Sequence, residues 1–403
     1  MKRLLSACAA AATALLALSA AAKPPATADM VRARNLVFGA EHVDQRTAQV
    51  DAGKVIFSWL TNATLAASVK GHVILLDTFV HRAETVPGRT PFVVEDLVSL
   101  DPEMVFIGHG HFDHADNVAW LGGKLGIPVF ASAETCADLK TLDLPALITA
   151  GTLPAGTTLD CRDVTSNGSH PGAEIVKIDA LEPVASITAF RHFHSGTAYA
   201  ETRFPIVPVK NDADPRDPDM YPPGTPHSFP TRGRIGGPIS IYYHFVVRGD
   251  HSFTFAWHNT TGDLHNGCTI DHGPPKCWDD LFPAEGISAN VRNAIASLPE
   301  TDLEFGSFVS LGFLTTGMRD PIENSALLKP KIWVPIHQTN AALPTSSLRF
   351  KVAYLAQLDI MSQAGYLTPD QRPEYRWMVD PDDYLKPMVY DPKDVRWKKR
   401  GEH

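Results

Sequence analysis

Cysteine is scarce in this chain, 5 among 403 residues, and so are basic runs and long apolar stretches. Each shortage excludes something. After residue 22 no stretch approaches the roughly 18 uninterrupted apolar residues that a membrane-spanning helix needs, so a soluble mature protein is expected. A formal net charge of −9 argues against a nucleic-acid backbone as partner. The one basic run, Arg396-Trp397-Lys398-Lys399-Arg400, reads as a solvated tail. No repeat of solenoid period is visible, which argues against a stacked array. What is present suits a folded enzyme or binding protein: 44% hydrophobic and 20% charged residues can bury a sizeable core.

The first 22 residues stand apart. Lys2 and Arg3 precede an apolar run from Leu4 to Leu18, and Ser19-Ala20-Ala21-Ala22 follows. A short apolar core with a small-residue exit is the pattern of a secretory signal peptide, so a periplasmic or secreted protein is expected. Leu5-Ser6-Ala7-Cys8 has the look of a lipoprotein box but comes before most of the apolar run. Loss of Cys8 with the leader leaves Cys136, Cys161, Cys268 and Cys277. Cys268 and Cys277 flank the turn-forming Gly273-Pro274-Pro275 and are the favoured pair. Cys136–Cys161 is the second, with buried free thiols as the alternative.

Periodicity predicts strands at 55–60, 72–79, 104–107, 128–130, 174–179, 184–192, 239–248, 252–258 and 331–336. Helical spacing falls at 92–97, 116–125, 132–142, 286–298, 322–328 and 346–364. Strands running into helices twice over suit two sheets packed face to face with helices outside, in a single α/β domain from 30 to 403. A proline-dense insertion at 205–238 is either a cover over a site or an inert surface loop. A Pro- and Asp-rich tail ends the chain.

Chemistry concentrates in His109-Gly110-His111-Phe112-Asp113-His114, where the apolar run 104–107 stops. In extended backbone, residues two apart point to one side, so His109 and His111 can grip one metal ion. Asp113 and His114 come after the chain turns and can face a second. Imidazole nitrogen with carboxylate oxygen suits zinc, and three protein ligands with an open position make a catalytic site.

This segment resembles the His-x-His-x-Asp-His signature of the metallo-β-lactamase superfamily, with its preceding strand and following helix. Leu75-Leu76-Asp77-Thr78 resembles that superfamily's first motif. The resemblance implies a four-layer αββα sandwich over roughly residues 30–370, and it places Asp77 behind a ligand histidine, orienting it. It also requires two further histidines. Ala189-Phe190-Arg191-His192-Phe193-His194-Ser195 offers the third ligand of the first metal. His192 and His194 are expected to point the same way, and His194 is preferred because a small polar residue follows it. Pro330 to His337 resembles the final family strand and makes His337 a ligand of the second metal.

One departure stands out. Many members carry a bridging aspartate, and here the matching segment is Trp257-His258-Asn259-Thr260-Thr261-Gly262. Asn259 takes the expected bridging position, with His258 as the other candidate. The resemblance thus implies one or two zinc ions on His109, His111, Asp113, His114, His194, Asn259 and His337. A zinc-bound hydroxide would attack a lactone, ester or phosphoester of a small-molecule substrate, with Asp113 orienting it. The alternatives are hydrolysis of β-lactams and a non-catalytic metal-binding envelope protein.

Overall fold

A computed structural model of the chain describes residues 26–80, 92–196, 200–207, 237–269, 276–309, 313–338, 344–368, 372–378 and 383–399. The expected leader and nearly all of the 205–238 insertion lie outside the described residues. In chain order the strands are β1 (Val55–Thr61), β2 (Thr64–Val69), β3 (His72–Leu76), β4 (Met104–Phe106), β5 (Val129–Ala131), β6 (Cys161–Asp163), β7 (Val176–Ile178) and β8 (Ala185–His192). Then come β9 (Ser240–Val247), β10 (Thr254–His258), β11 (Cys268–Thr269), β12 (Lys276–Cys277), β13 (Leu303–Ser307), β14 (Ile332–Ile336), β15 (Glu374–Tyr375) and β16 (Met388–Tyr390). Two mixed seven-stranded sheets result, ordered β16-β1-β2-β3-β4-β5-β6 and β15-β14-β13-β10-β9-β8-β7.

Aromatic side chains hold the sheets together. Phe57 of β1 meets Phe255 of β10 and Phe305 of β13 at 4.9 and 4.7 Å between ring centroids. Phe106 of β4 lies 5.4 Å from both Tyr243 and Phe245 of β9. Burying each such ring contributes about 1.5–3 kcal/mol, which helps hold the two sheets face to face.

Helices cover the outside. On the first sheet lie α1 (Ala28–Phe38), α2 (Val94–Ser99) and, after the one-turn α3 (Phe112–Ala115), α4 (Val118–Leu125). Val37 and Phe38 of α1 and Val118 and Leu121 of α4 join the core of that sheet. Next follow α5 (Ala133–Asp138), α6 (Leu144–Thr149), the one-turn α7 (Trp278–Leu281) and α8 (Ile287–Ala296). Chain order closes with α9 (Phe313–Thr316), α10 (Arg319–Leu328) and α11 (Pro344–Gln363). Ile287, Val291 and Ile295 of α8 pack on Phe190, Tyr242 and Ala256 of the second sheet. Tyr354 of α11 stacks on Trp333 of β14 at 4.5 Å. Helix, sheet, sheet, helix: the chain is the expected αββα sandwich.

Three readings change. Thr64–Val69 and Leu303–Ser307, not predicted as strands, are central strands β2 and β13. The sandwich does not end near 370, because β16 closes the edge of the first sheet by pairing Val55 with Tyr390. Nor is the basic run a solvated tail. Trp397 is 1% exposed and packs 4.9 Å from Phe253, and the Lys399 ammonium is bonded to the buried carboxylate of Asp302. Both cysteine pairs, 136–161 and 268–277, are joined as disulfides.

Candidate metal centre

The ends of β3, β4, β8, β10 and β14 meet at one edge of the sandwich. Parallel pairing of β3 with β4 sets Leu76 opposite Phe106, so both strands stop at one level. Asp77 then turns out of the strand with φ of 60°, and its Oδ1 accepts from the Gly108 N–H at 3.1 Å. From Gly108 the chain runs through His109 and His111 into α3, which carries Asp113 and His114. His337, just past β14, has φ of 79°, and its N–H donates to the carbonyl of Asn62 at 2.9 Å. A left-handed backbone at a non-glycine residue is strained and persists only where the surroundings impose it.

These residues converge. The ligating atoms of His109, His111 and His194 lie within 4.8 Å of one another, as do those of His109, Asp113 and His114, and all are buried. His111 Nδ1 and His194 Nε2 are 3.1 Å apart, and so are His114 Nε2 and His337 Nε2.

What lies behind the rings decides what faces inward. His114 Nδ1 sits 2.7 Å from Asp77 Oδ2, a carboxylate that can only accept. His194 Nδ1 sits 2.8 Å from the carbonyl oxygen of Ser195. Asn259 donates from Nδ2 to Asp77 Oδ2 at 2.8 Å, which turns its Oδ1 to His109 Nδ1, also at 2.8 Å. In all three rings Nδ1 is therefore the nitrogen held as donor, and Nε2 is the one that faces the cluster.

Charge is balanced tightly. Burial raises the Asp77 carboxyl above the usual range, against the pull of His114. Burial would raise Asp113 too, but the imidazoles of His114, His337 and His111 outweigh it and hold the carboxyl low. His114 is pushed up to about 9, burial being overcome by Asp113 and Asp77. His109, buried beside His114, His194 and His111, is held well below its ordinary value. The site thus favours positive charge, yet crowds its imidazoles too closely for all to take protons.

A metal ion fits that balance. Ligands at about 2.0–2.1 Å around a tetrahedral zinc stand roughly 3.3 Å apart, close to the spacing of the nitrogen pairs. Asp113 Oδ1 is buried with no hydrogen-bond partner among the described residues, an atom whose desolvation calls for a cation or water. Asp113 Oδ2 lies 3.4 Å from His114 Nε2 and 3.6 Å from His337 Nε2.

Two expectations about neighbouring residues fail. His192 and His194 do not share a side, because β8 ends at His192 and the alternation ends with it. His192 lies on the outer face, 5.6 Å from the ring of Tyr242 and 5.9 Å from that of His258. Asn259 does not bridge: its amide is engaged behind His109 and Asp77. His258 is no substitute, since its Nε2 faces Glu304 at 2.9 Å and its Nδ1 the Thr260 carbonyl at 3.0 Å.

Sequence reasoning missed Asn62. In the turn between β1 and β2, it donates to the Asp113 carbonyl at 2.7 Å and to Asp113 Oδ2 at 3.1 Å. The available signal was a polar residue with φ of 49° between two apolar strands, hidden while β2 went unrecognised.

No family model and no curated protein sequence matches the chain. Among solved structures it is similar to Igni18, a metallo hydrolase from Ignicoccus hospitalis, at 14% identity over 84% of this chain and 100% of that one, with a TM-score of 0.45. It is also similar to zinc-bound PqqB from Methylobacterium extorquens, at 12% identity over 81% and 86%, with a TM-score of 0.39. CmlA, a diiron β-hydroxylase from Streptomyces venezuelae, aligns at 13% identity over 84% and 54%, with a TM-score of 0.40. Likeness at this level decides nothing about activity. In its His-x-His-x-Asp-His segment, its strand-end aspartate and its αββα layering, the chain resembles the metallo-β-lactamase superfamily.

Proposed function

We propose that this chain is an exported, zinc-dependent hydrolase of the metallo-β-lactamase type, acting on a lactone, ester or phosphoester. One observation carries the reading: the buried ligating atoms of His109, His111 and His194 lie within 4.8 Å of one another, and acceptors hold Nδ1 of His109 and His194 so that Nε2 faces the cluster. A surface or core histidine has no need of that arrangement.

In this reading His109, His111 and His194 hold one ion, and Asp113, His114 and His337 a second. Bound zinc supplies Lewis acidity and brings the pKa of a water towards about 7. The chain's own part is to position. Asp77 keeps His114 in the tautomer with a free Nε2, Asn62 aims the Asp113 carboxylate, and Asp113 Oδ1 offers an acceptor that orients the attacking water. Export is supported by the leader pattern and by two disulfides, which persist in oxidising compartments.

Metal analysis of the purified protein, followed by a panel of an acyl lactone, a nitrophenyl phosphodiester and a chromogenic cephalosporin, tests the proposal. Turnover on the first or second, abolished by a chelator and restored by zinc, is expected. Bound zinc without turnover on any would leave a metal-binding protein and overturn the enzyme. Turnover on the cephalosporin alone would move the substrate class to β-lactams.

A further inference from the structure

The departure at residue 259 has a physical reason. The Asn259 side chain sits between two groups of opposite demand: His109 Nδ1, which must donate to leave Nε2 free, and Asp77 Oδ2, which can only accept. An amide meets both at once, and an ionised carboxylate cannot. At 2.8 Å from Asp77 Oδ2 it would set two buried negative charges against each other. Close packing keeps the side chain in place, since a Cβ on Gly108 would come within 2.3 Å of the Asn259 amide.

The turn that carries Asn259 is itself clamped. His258 stacks on Tyr242 with centroids 4.8 Å apart, and its two nitrogens engage Glu304 and the Thr260 carbonyl. Thr260 Oγ1 accepts from the Ser195 N–H at 2.9 Å, beside the carbonyl that holds His194. On β13, Gly306 must lack a side chain, because a Cβ there would stand 2.9 Å from Glu304 Oε1 and 3.0 Å from His258 Nε2. Residues 258–260 thereby touch the supports of three imidazoles: His109 directly, His114 through Asp77, and His194 through Ser195.

The geometry points to Asn259 as a positioning residue that replaces the bridging acid of related sites, with His258 and Glu304 anchoring the turn that presents it. The inference rests on the metal-binding reading above and names what this chain requires at the position: a neutral group that donates and accepts.

Zinc affinity by chelator competition, zinc stoichiometry, and the melting temperature of the metal-stripped protein are compared for wild type, Asn259→Asp and Asn259→Ser. Support for outer ligands of this kind is usually worth 10–100-fold in metal affinity. Asn259→Asp should therefore bind zinc at least about tenfold more weakly and, stripped of metal, melt below wild type. Asn259→Ser, which adds no charge, should weaken zinc binding while still folding, and it decides the matter should the aspartate variant not fold. Equal or tighter zinc binding by Asn259→Asp overturns the inference, because a bridging position would gain from a carboxylate. So does wild-type affinity in Asn259→Ser. A wild type that binds no zinc would sink the metal reading instead. The stripped melting temperatures would then judge the amide alone, with equal values for wild type and Asn259→Asp counting against it.

Discussion

Two histidines only two residues apart at the end of β8 join different buried groups. His194 follows β8 and joins His109 and His111, whereas His192, two residues earlier, and His258, at the end of β10, pack outward with Tyr242 and Glu304. Both groups are buried and rich in nitrogen, so burial and residue type do not separate them. The difference lies in what each ring's two nitrogens face. In the inner group, acceptors hold Nδ1 of His109 and His194 and leave their Nε2 facing the cluster, into which His111 turns its Nδ1. In the outer group, His258 has both nitrogens engaged within the protein, and His192 Nε2 is buried with no partner among the described residues. Convergent ring nitrogens, rather than histidine count, mark the candidate metal site.

The largest effect that would break this comparison is at His111. His111→Ala should remove the first ion's hold and lower activity on a validated substrate by on the order of 1,000-fold, the several kcal/mol a catalytic metal supplies. Wild-type turnover in that variant, with full zinc content, would mean the inner group is not the working site. Next comes Asp77→Asn, which weakens the hold on His114 Nδ1 and should reduce zinc affinity by about 10–100-fold. Unchanged affinity would show that the Nδ1 acceptors do not matter.

A pH experiment sharpens the contrast from a third environment. His244 on β9 is fully buried with Nε2 against Thr301 Oγ1 at 3.0 Å, and its pKa is pushed down to about 3 by burial and by Lys177 and Lys399. Below the unfolded value of about 6.5 the unfolded chain takes a proton that the folded chain refuses, so stability falls as pH drops from there towards 3. By pH 5 the loss should reach roughly 2 kcal/mol. Denaturant titrations of wild type and His244→Gln at pH 8 and pH 5 check it. Parallel losses in both proteins would clear His244 of responsibility. The smallest effect belongs to the outer group: His192→Phe should change stability by less than about 1.5 kcal/mol and leave zinc content untouched. Loss of zinc there would erase the distinction between the two groups.

Legibility followed the range of the forces involved. The segment 109–114 and the strand before it could be read locally, because alternation and turn chemistry act within a few residues, whereas Asp77 and His337 were legible through the resemblance of their segments to the superfamily's first motif and final strand. β13 escaped because Leu303-Glu304-Phe305-Gly306-Ser307 puts a carboxylate and a glycine in a buried strand. Both are explained only by β10, whose His258 lies opposite Gly306 and takes up the Glu304 carboxylate. The tail from 383 escaped for a similar reason: Trp397 and Lys399 are stabilised by Phe253 and Asp302, far away in the chain.

Sequence alone determined an α/β chain of two layered sheets and the pairing of His109 with His111, since each rests on local pattern. Tertiary structure decided between His192 and His194, moved Asn259 from a bridging place to one behind His109, and brought Asn62 to Asp113. The reason is geometric. Where a strand ends, its alternation no longer says which way a side chain points, and a hydrogen-bond partner 150 residues distant does.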